Sequence, residues 1–423
     1  MHKDAYGNPL STPSQAASDA FNLAMACYFT AQPGSETHFA TALEADPGFA
    51  LAHVGLARAH HVSGDGRAAR AKMADAEKHT DGLTTREAQH LAILNTVITG
   101  QGPDPLAAAR AHLAEFPRDA LIASLCLGVF SLIGFSGRPG REAENLAMAA
   151  VLAPHYGDDP WFLSYYGFAQ MEAGQLAQAE RSIEVSLAGN PNDANAAHHR
   201  AHLCYEIGDP DAGYAYLSNW MTGYDRAGLM HCHNSWHVAL WAMARGDTDT
   251  MWQIVDRDLD PDVTLSPPIN VMTDLASLLY RAELAGVAVP GARWKQVSAY
   301  AAAHFAKPRL AFVDVHSALA HAMAGETELL DRIHNDAKGP ASDMVVWLAD
   351  AFGAIARQDW AVAEAHLTRT LGDQARIGGS RAQRDLIEFA MAQVLMKQGK
   401  SDAARLLLAT RRPMSQLETA VAA

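Results

Sequence analysis

Glycines recur along this chain at a pitch that fits pairs of short helices. Gly174, Gly208, Gly246 and Gly286 are spaced by 34, 38 and 40 residues, and Gly64, Gly325 and Gly399 sit in similar turns. Between breakers such as "AQPGS", "SGDGR", "GNPND", "IGDPD" and "ARGDT" nearly every segment has helical periodicity, and no alternating strand run stands out. Seven residues before the glycine a small residue is frequent: Ala57, Gly167, Ala201, Ala239, Ala318 and Ala392. Five residues after it another follows in several repeats (Ala69, Ala179, Gly213, Ala404), and four further on an apolar one (Met73, Ile183, Leu217, Leu408). Small residues at these offsets let the two helices of a hairpin approach closely, and the large residue packs onto the next hairpin. A period of this length implies a stack of hairpins, each burying its face on its neighbours.

The pattern resembles the tetratricopeptide repeat, which places small residues at its eighth and twentieth positions. Prolines such as Pro47 and Pro191 close repeats in the same way. An unrelated helical hairpin array of similar pitch is the alternative. The expected fold is all-α: a right-handed superhelical array, an α-solenoid of about ten to eleven tetratricopeptide-like hairpins, running over residues 1–423 as a single domain.

Bulk properties narrow the partners. A 423-residue chain that is 49% hydrophobic and 19% charged buries a substantial core. Its formal net charge of −14 argues against nucleic acid, which needs a basic stripe, and against a polybasic membrane surface. Cys27, Cys126, Cys204 and Cys232 are scattered without a C-x-x-C motif, which points to a reducing compartment. No apolar signal segment or run of membrane-spanning length is present, so a cytoplasmic protein is expected.

Five stretches carry a closer resemblance: "HHRAHLCYEIGD" (198–209), "HCHNSWHVALWAMARGD" (231–247), "VMTDLASLLYRAELAGVAVPGARW" (271–294), "FVDVHSALAHAMAG" (312–325) and "GGSRAQRDLIEFA" (378–390). Together they resemble the tetratricopeptide repeat protein 38 family, most strongly over residues 150–423, with Asp314 and His316 at positions the family marks. Ser235 departs from it, standing where an aromatic residue is expected after His-Asn. The resemblance implies a fold and an ordered set of polar residues. It implies no reaction.

Histidines concentrate in two of those stretches. In tetratricopeptide repeats, residues 2, 5, 9, 12 and 13 of the first helix line the concave groove. With Ala201 as position 8, these are Asn195, His198, His202, Tyr205 and Glu206. His198, His202 and Glu206 stack on one helix face at i, i+4 and i+8. With Ala239 as position 8, His233 falls at position 2, Trp236 at 5 and His237 at 6, beside Asn234. His199 and His316 share position 6 in their own repeats. Neighbouring first helices pack side by side, so His198, His202, His233 and His237 are expected to converge on the concave wall, with Asp314 or His316 on its rim. Single histidines on such faces are more often hydrogen-bonded core residues.

Two chemistries suit the cluster. In a metal-free site, His202, His237 or His316 paired with Asp314 or Glu206 acts as general base, since imidazole titrates near neutrality. In a metal site, His198, His202, His233 and His237 bind one Zn²⁺ with Glu206, Asp274 or Asp314 completing the shell. The metal-free version ranks higher because no H-E-x-x-H or cysteine motif is present, and no cofactor is expected. Cys232 is a poor nucleophile candidate, because its flanking histidines diverge by about 100° on a helix. The aromatic set Trp161, Phe162, Tyr165 and Tyr166 offers an apolar wall, with Phe162 and Tyr165 assigned to groove positions 2 and 5. Ser380 and Gln383 form a capping box after the Gly378–Gly379 turn, and Arg381 and Arg384 beside that helix start offer a carboxylate or phosphate site.

The first functional expectation is a binding or scaffold protein that takes a protein, peptide or small-molecule ligand in its concave groove, with a homodimer also admitted. The second is an enzyme or specific small-molecule binder using the His-rich wall.

Overall fold

A computed structural model of the protein describes residues 2–411, so Met1 and residues 412–423 of the expected array lie outside the described residues. The described chain is an all-α solenoid of twenty-two α-helices, with one antiparallel strand pair of two residues each, His2–Lys3 and Pro9–Leu10. Among the described residues no helix is long and apolar enough to cross a membrane. Eight helices frame the concave face: α1 (Gln15–Phe29), α2 (Ala50–Val62), α3 (Pro160–Glu172), α4 (Ala194–Ile207), α5 (His231–Ala244), α6 (Pro268–Leu284), α7 (Ala311–Ala324) and α8 (Arg381–Lys397).

A Gly-Asp pair makes several of the turns. Gly64, Gly208 and Gly246 sit at φ of 92°, 75° and 78°, a region costly for residues with a Cβ. The next residue, Asp65, Asp209 or Asp247, caps the following helix by accepting backbone N–H groups on its carboxylate. The small residues do what the spacing requires. Ala57, Ala201, Ala239, Ala318 and Ala392 are fully buried at helix crossings. A Cβ on Gly213 would come within 2.5 Å of the Trp241 ring, and one on Gly167 within 2.8 Å of Ile183.

One stretch departs from the hairpin pattern. After a single turn of helix at Ala120–Ser124, the chain runs irregularly until Arg141. Gly128, Gly134, Gly137, Pro139 and Gly140 crowd that segment and deny it a helix. Phe130 and Phe135 from it pack against Phe312 of α7, at ring separations of 5.6 and 6.1 Å.

The groove is not left open. The N-terminal end folds onto α4: the Ala194 N–H donates to the Thr30 carbonyl at 3.0 Å and Asn195 Nδ2 to the Phe29 carbonyl at 2.9 Å. The C-terminal end folds onto the middle as well. Tyr205 Oη of α4 donates to Asp385 of α8 at 2.7 Å, and Arg281 of α6 donates to the Ala382 carbonyl. Arg141, at the start of the helix Arg141–Tyr156, ties in the C-terminal part by donating to the carbonyls of Ala375 and Gly379. The concave face is thereby walled by the chain's own ends.

Two outcomes test this packing. Ala201→Leu should destabilise the fold by about 1–3 kcal/mol through overpacking, read from urea unfolding; a neutral result would mean the crossing is looser than described. The second concerns Asp193, which caps α4 by accepting the Asn195 and Ala196 N–H groups at 2.8 and 3.1 Å. Burial pushes its carboxyl up to about 7, against roughly 3.9 in an unfolded chain. Between those values the folded state holds a proton that the unfolded state has lost, so stability falls as pH rises from about 4 to 7. Asp193→Asn keeps the cap without the titration. The variant should lose this pH slope and exceed the parent at pH 8 by on the order of 1–4 kcal/mol; parallel stability profiles would refute the assignment.

Candidate functional site

Helices α4 and α5 lie side by side, and their i, i+4 histidine pairs meet. His198 Nε2 lies 2.8 Å from His202 Nε2, which lies 3.2 Å from His237 Nε2. His233 completes the group, its ring centred 4.7 Å from that of His198 and 5.1 Å from that of His237. One nitrogen from each of the four rings lies within 4.8 Å of all the others, and all four side chains are buried. His233 is held from behind: its Nδ1 sits 2.9 Å from both carboxylate oxygens of Asp274 on α6. Trp236 stacks on His233 at 5.2 Å and meets His237 edge-on at 4.8 Å, fixing both rings. Arg281 lies over the Trp236 ring at 5.7 Å.

The electrostatics favour neutral rings at His198 and His237. Burial, and then the neighbouring rings, hold His198 and His237 well below the ordinary histidine range. Burial likewise takes His199 down to about 3, although its Nδ1 pairs with Ser164 Oγ at 2.6 Å. Burial also raises the Asp274 carboxyl, against the opposing pull of His233. The expected convergence of His198, His202, His233 and His237 is therefore observed, with Asp274 as the carboxylate attached to it.

A cavity of ≈ 190 Å³ opens beside this cluster. His198, His202 and His233 line it, whereas His237 stands behind them. Trp161, Tyr165, Phe168 and Phe29 form much of the apolar wall, and Asn195, Asn270 and Gln383 add amides. Arg58 of α2 is the one cationic side chain among the described lining residues, and its Nε donates to Tyr28 Oη at 3.0 Å.

Other expected site residues go elsewhere. Tyr205 and Glu206 reach toward α8. Tyr205 bonds Asp385, and Glu206 lies 3.9 Å from Arg381, because α8 occupies the concave space in front of them. Asp314 and His316 are not on the rim. Asp314 accepts the Arg309 N–H at 3.3 Å, and His316 Nδ1 donates to the Phe312 carbonyl at 2.7 Å, so α7 turns both toward its own first turn. Asp314 is thereby turned to the chain just before α7. Asn234 is fully buried outside the cavity lining. Of the aromatic set, Trp161 and Tyr165 reach the cavity. Phe162 does not, since Gly167 as position 8 puts Trp161 at position 2, and Phe162 instead stacks on Tyr156 at 4.6 Å. Tyr166 packs behind it at 6.0 Å. Cys232 is buried, with its thiol pushed well up by that burial.

The arginine-flanked helix start already holds an anion of the chain's own. The Ser380–Gln383 capping box is formed. The Arg381 N–H donates to Glu172 at 3.1 Å, and Arg384 pairs with Glu142 and, at 3.7 Å, with Glu172. Glu172 fills the place expected for an external carboxylate or phosphate. Local spacing holds no sign of Arg58, Tyr28 or Phe29 as site residues, because they reach α4 only through closure of the array; an aromatic pair just before the "AQPGS" turn is their one trace in the sequence.

Replacing Arg384 by Ala should destabilise the protein by about 1–3 kcal/mol, since it leaves the buried Glu172 without its neighbouring guanidinium. Millimolar phosphate should leave the thermal midpoint of the parent protein unchanged. A saturable, Arg384-dependent rise in that midpoint would show that Glu172 yields to an outside anion.

No family model matches this chain. Among solved structures it is similar to yeast Tom70, at 13% identity and a TM-score of 0.38, with 96% of this chain and 87% of that chain covered. It is also similar to the human IFIT1 dimer solved with m7Gppp-AAAA, at 11% identity and a TM-score of 0.44, with 95% of this chain and 90% of that chain covered. Likeness at this distance brings over neither a ligand nor a partner.

Proposed function

We propose that this helical-repeat array is a binding scaffold whose ligand is a small organic molecule with an apolar body and a carboxylate or similar anionic end, held in the cavity between α1–α2 and α3–α5. One observation carries the reading. Asn195, His198, His202 and His233, expected on the groove wall, line a cavity of ≈ 190 Å³ with aromatic walls, and Arg58 is the one cation among its described lining residues. A small, mostly apolar hollow with a few convergent polar groups suits a small molecule, whereas an extended peptide needs a long open track. Arg58 would take the anionic end, with Asn195 and Asn270 orienting it, and Trp161, Tyr165 and Phe168 would cover the apolar body. The resemblance to the tetratricopeptide repeat protein 38 family accords with this reading, because the stretches that carry it include much of the His-rich wall.

Whatever compound the cavity retains can be released and identified directly. Full-length protein without a histidine tag is denatured, and the released small molecules are identified by mass spectrometry. A panel of apolar carboxylates is screened by thermal shift in parallel. The expected result is selective retention or stabilisation by one such compound, with affinity reduced at least tenfold, about 1.4 kcal/mol, in Arg58→Met. Saturable binding of a peptide or protein that is unaffected by Arg58→Met and Tyr165→Ala, with no small molecule retained, would return the open-groove reading to first place.

A further inference from the structure

We infer that His198, His202, His233 and His237 form a binding site for one divalent transition-metal ion of zinc type, placed at the end of the cavity. The geometry carries this. His202 Nε2 faces two other Nε2 atoms at once, at 2.8 and 3.2 Å. A ring nitrogen is either one N–H or one lone pair. A single N–H points along one line, and a single lone pair accepts along one line, so hydrogen bonding alone accounts poorly for three ring nitrogens drawn to one spot. Convergence on a shared centre accounts for it directly. Four nitrogens at about 2.0–2.1 Å from a tetrahedral ion lie roughly 3.3–3.4 Å from one another. The four here are contained within 4.8 Å, so sub-ångström shifts of the rings close the shell.

Asp274 is an independent mark. It engages Nδ1 of His233 with both oxygens at 2.9 Å and is itself buried. That bond fixes the tautomer and leaves Nε2 of His233 for the ion, the carboxylate–histidine–metal arrangement found behind ligating imidazoles. It also supplies a negative charge near a buried dication. Imidazole nitrogens with no thiolate favour zinc, copper, nickel or iron over magnesium or calcium. The hydrophobic packing of Trp236 and Trp241 around His237 restricts the rings further. The ion would sit behind three side chains that line the cavity. The inference deepens the proposed site but does not depend on which organic molecule binds there.

The experiment uses full-length, untagged protein stripped with a chelator, then titrated with Zn²⁺ and with Co²⁺. The expected result is one equivalent of either ion, a visible Co²⁺ spectrum of tetrahedral intensity, and nitrogen-only first-shell scattering in X-ray absorption of the zinc form. Asp274→Asn should weaken binding by 10–100-fold, and the double variant H202Q/H237Q should abolish the stoichiometric site. His334→Gln, at a half-exposed histidine, should leave it unchanged. Measurements on the parent protein decide the matter even where a variant fails to fold. Absence of a saturable equivalent, an octahedral Co²⁺ spectrum, or oxygen-dominated scattering overturns the inference. Retention of an organic ligand by metal-free protein with no metal uptake would overturn it and leave the proposed function standing. Metal uptake without any organic ligand would do the reverse.

Discussion

Twelve of the fourteen residues of α4 are buried, and they include Asn195, His198, His199, His202, Tyr205 and Glu206. A helix surrounded on all sides is ordinarily apolar all round. This one must instead find each polar side chain a partner inside the protein, because an unmatched buried polar group costs about 1–3 kcal/mol. The solution divides the helix along its length. Its start is served by the Phe29 carbonyl from the N-terminal end, its finish by Asp385 and Arg381 from α8, and its centre by the imidazoles of α5. The histidine cluster is thus part of what lets α4 be enclosed at all.

This division explains why spacing reveals part of the site and no more. Register alone puts His198, His202, His233 and His237 on one wall, since two adjacent helices with i, i+4 pairs leave few alternatives. Register also puts Tyr205 and Glu206 on that wall, which is correct for the helix face, but another helix covers it. Asp314 and His316 depart from their expected place for a related reason. A repeat position fixes the face of a helix but not the rotamer, and both side chains settle on backbone groups at the start of α7. Arg58 and Tyr28 are invisible in the sequence because they lie far from α4 along the chain, and nothing in a repeat period announces that an array will close.

The arginines of α8 follow the same logic. A helix N-terminus beside two guanidinium groups attracts an anion wherever one comes from. In a closed array the nearest carboxylates belong to the chain itself, and Glu142 and Glu172 arrive already positioned, without the translational entropy that an outside ion would lose. A feature that reads as a ligand site in a linear sequence has become a tie between distant repeats.

Arg141, reaching from the helix start after the irregular segment to the carbonyls of Ala375 and Gly379, has a bearing on how such a chain can change over evolutionary time. Open solenoids tolerate duplication or loss of a repeat, because each unit meets only its neighbours and the ends are free to move. Here an added hairpin would carry Arg141 and Asn195 out of reach of their partners and would pull the cavity walls apart. Closure therefore fixes the repeat number. Within it, sequence drift is confined to substitutions and to loops on the outer surface.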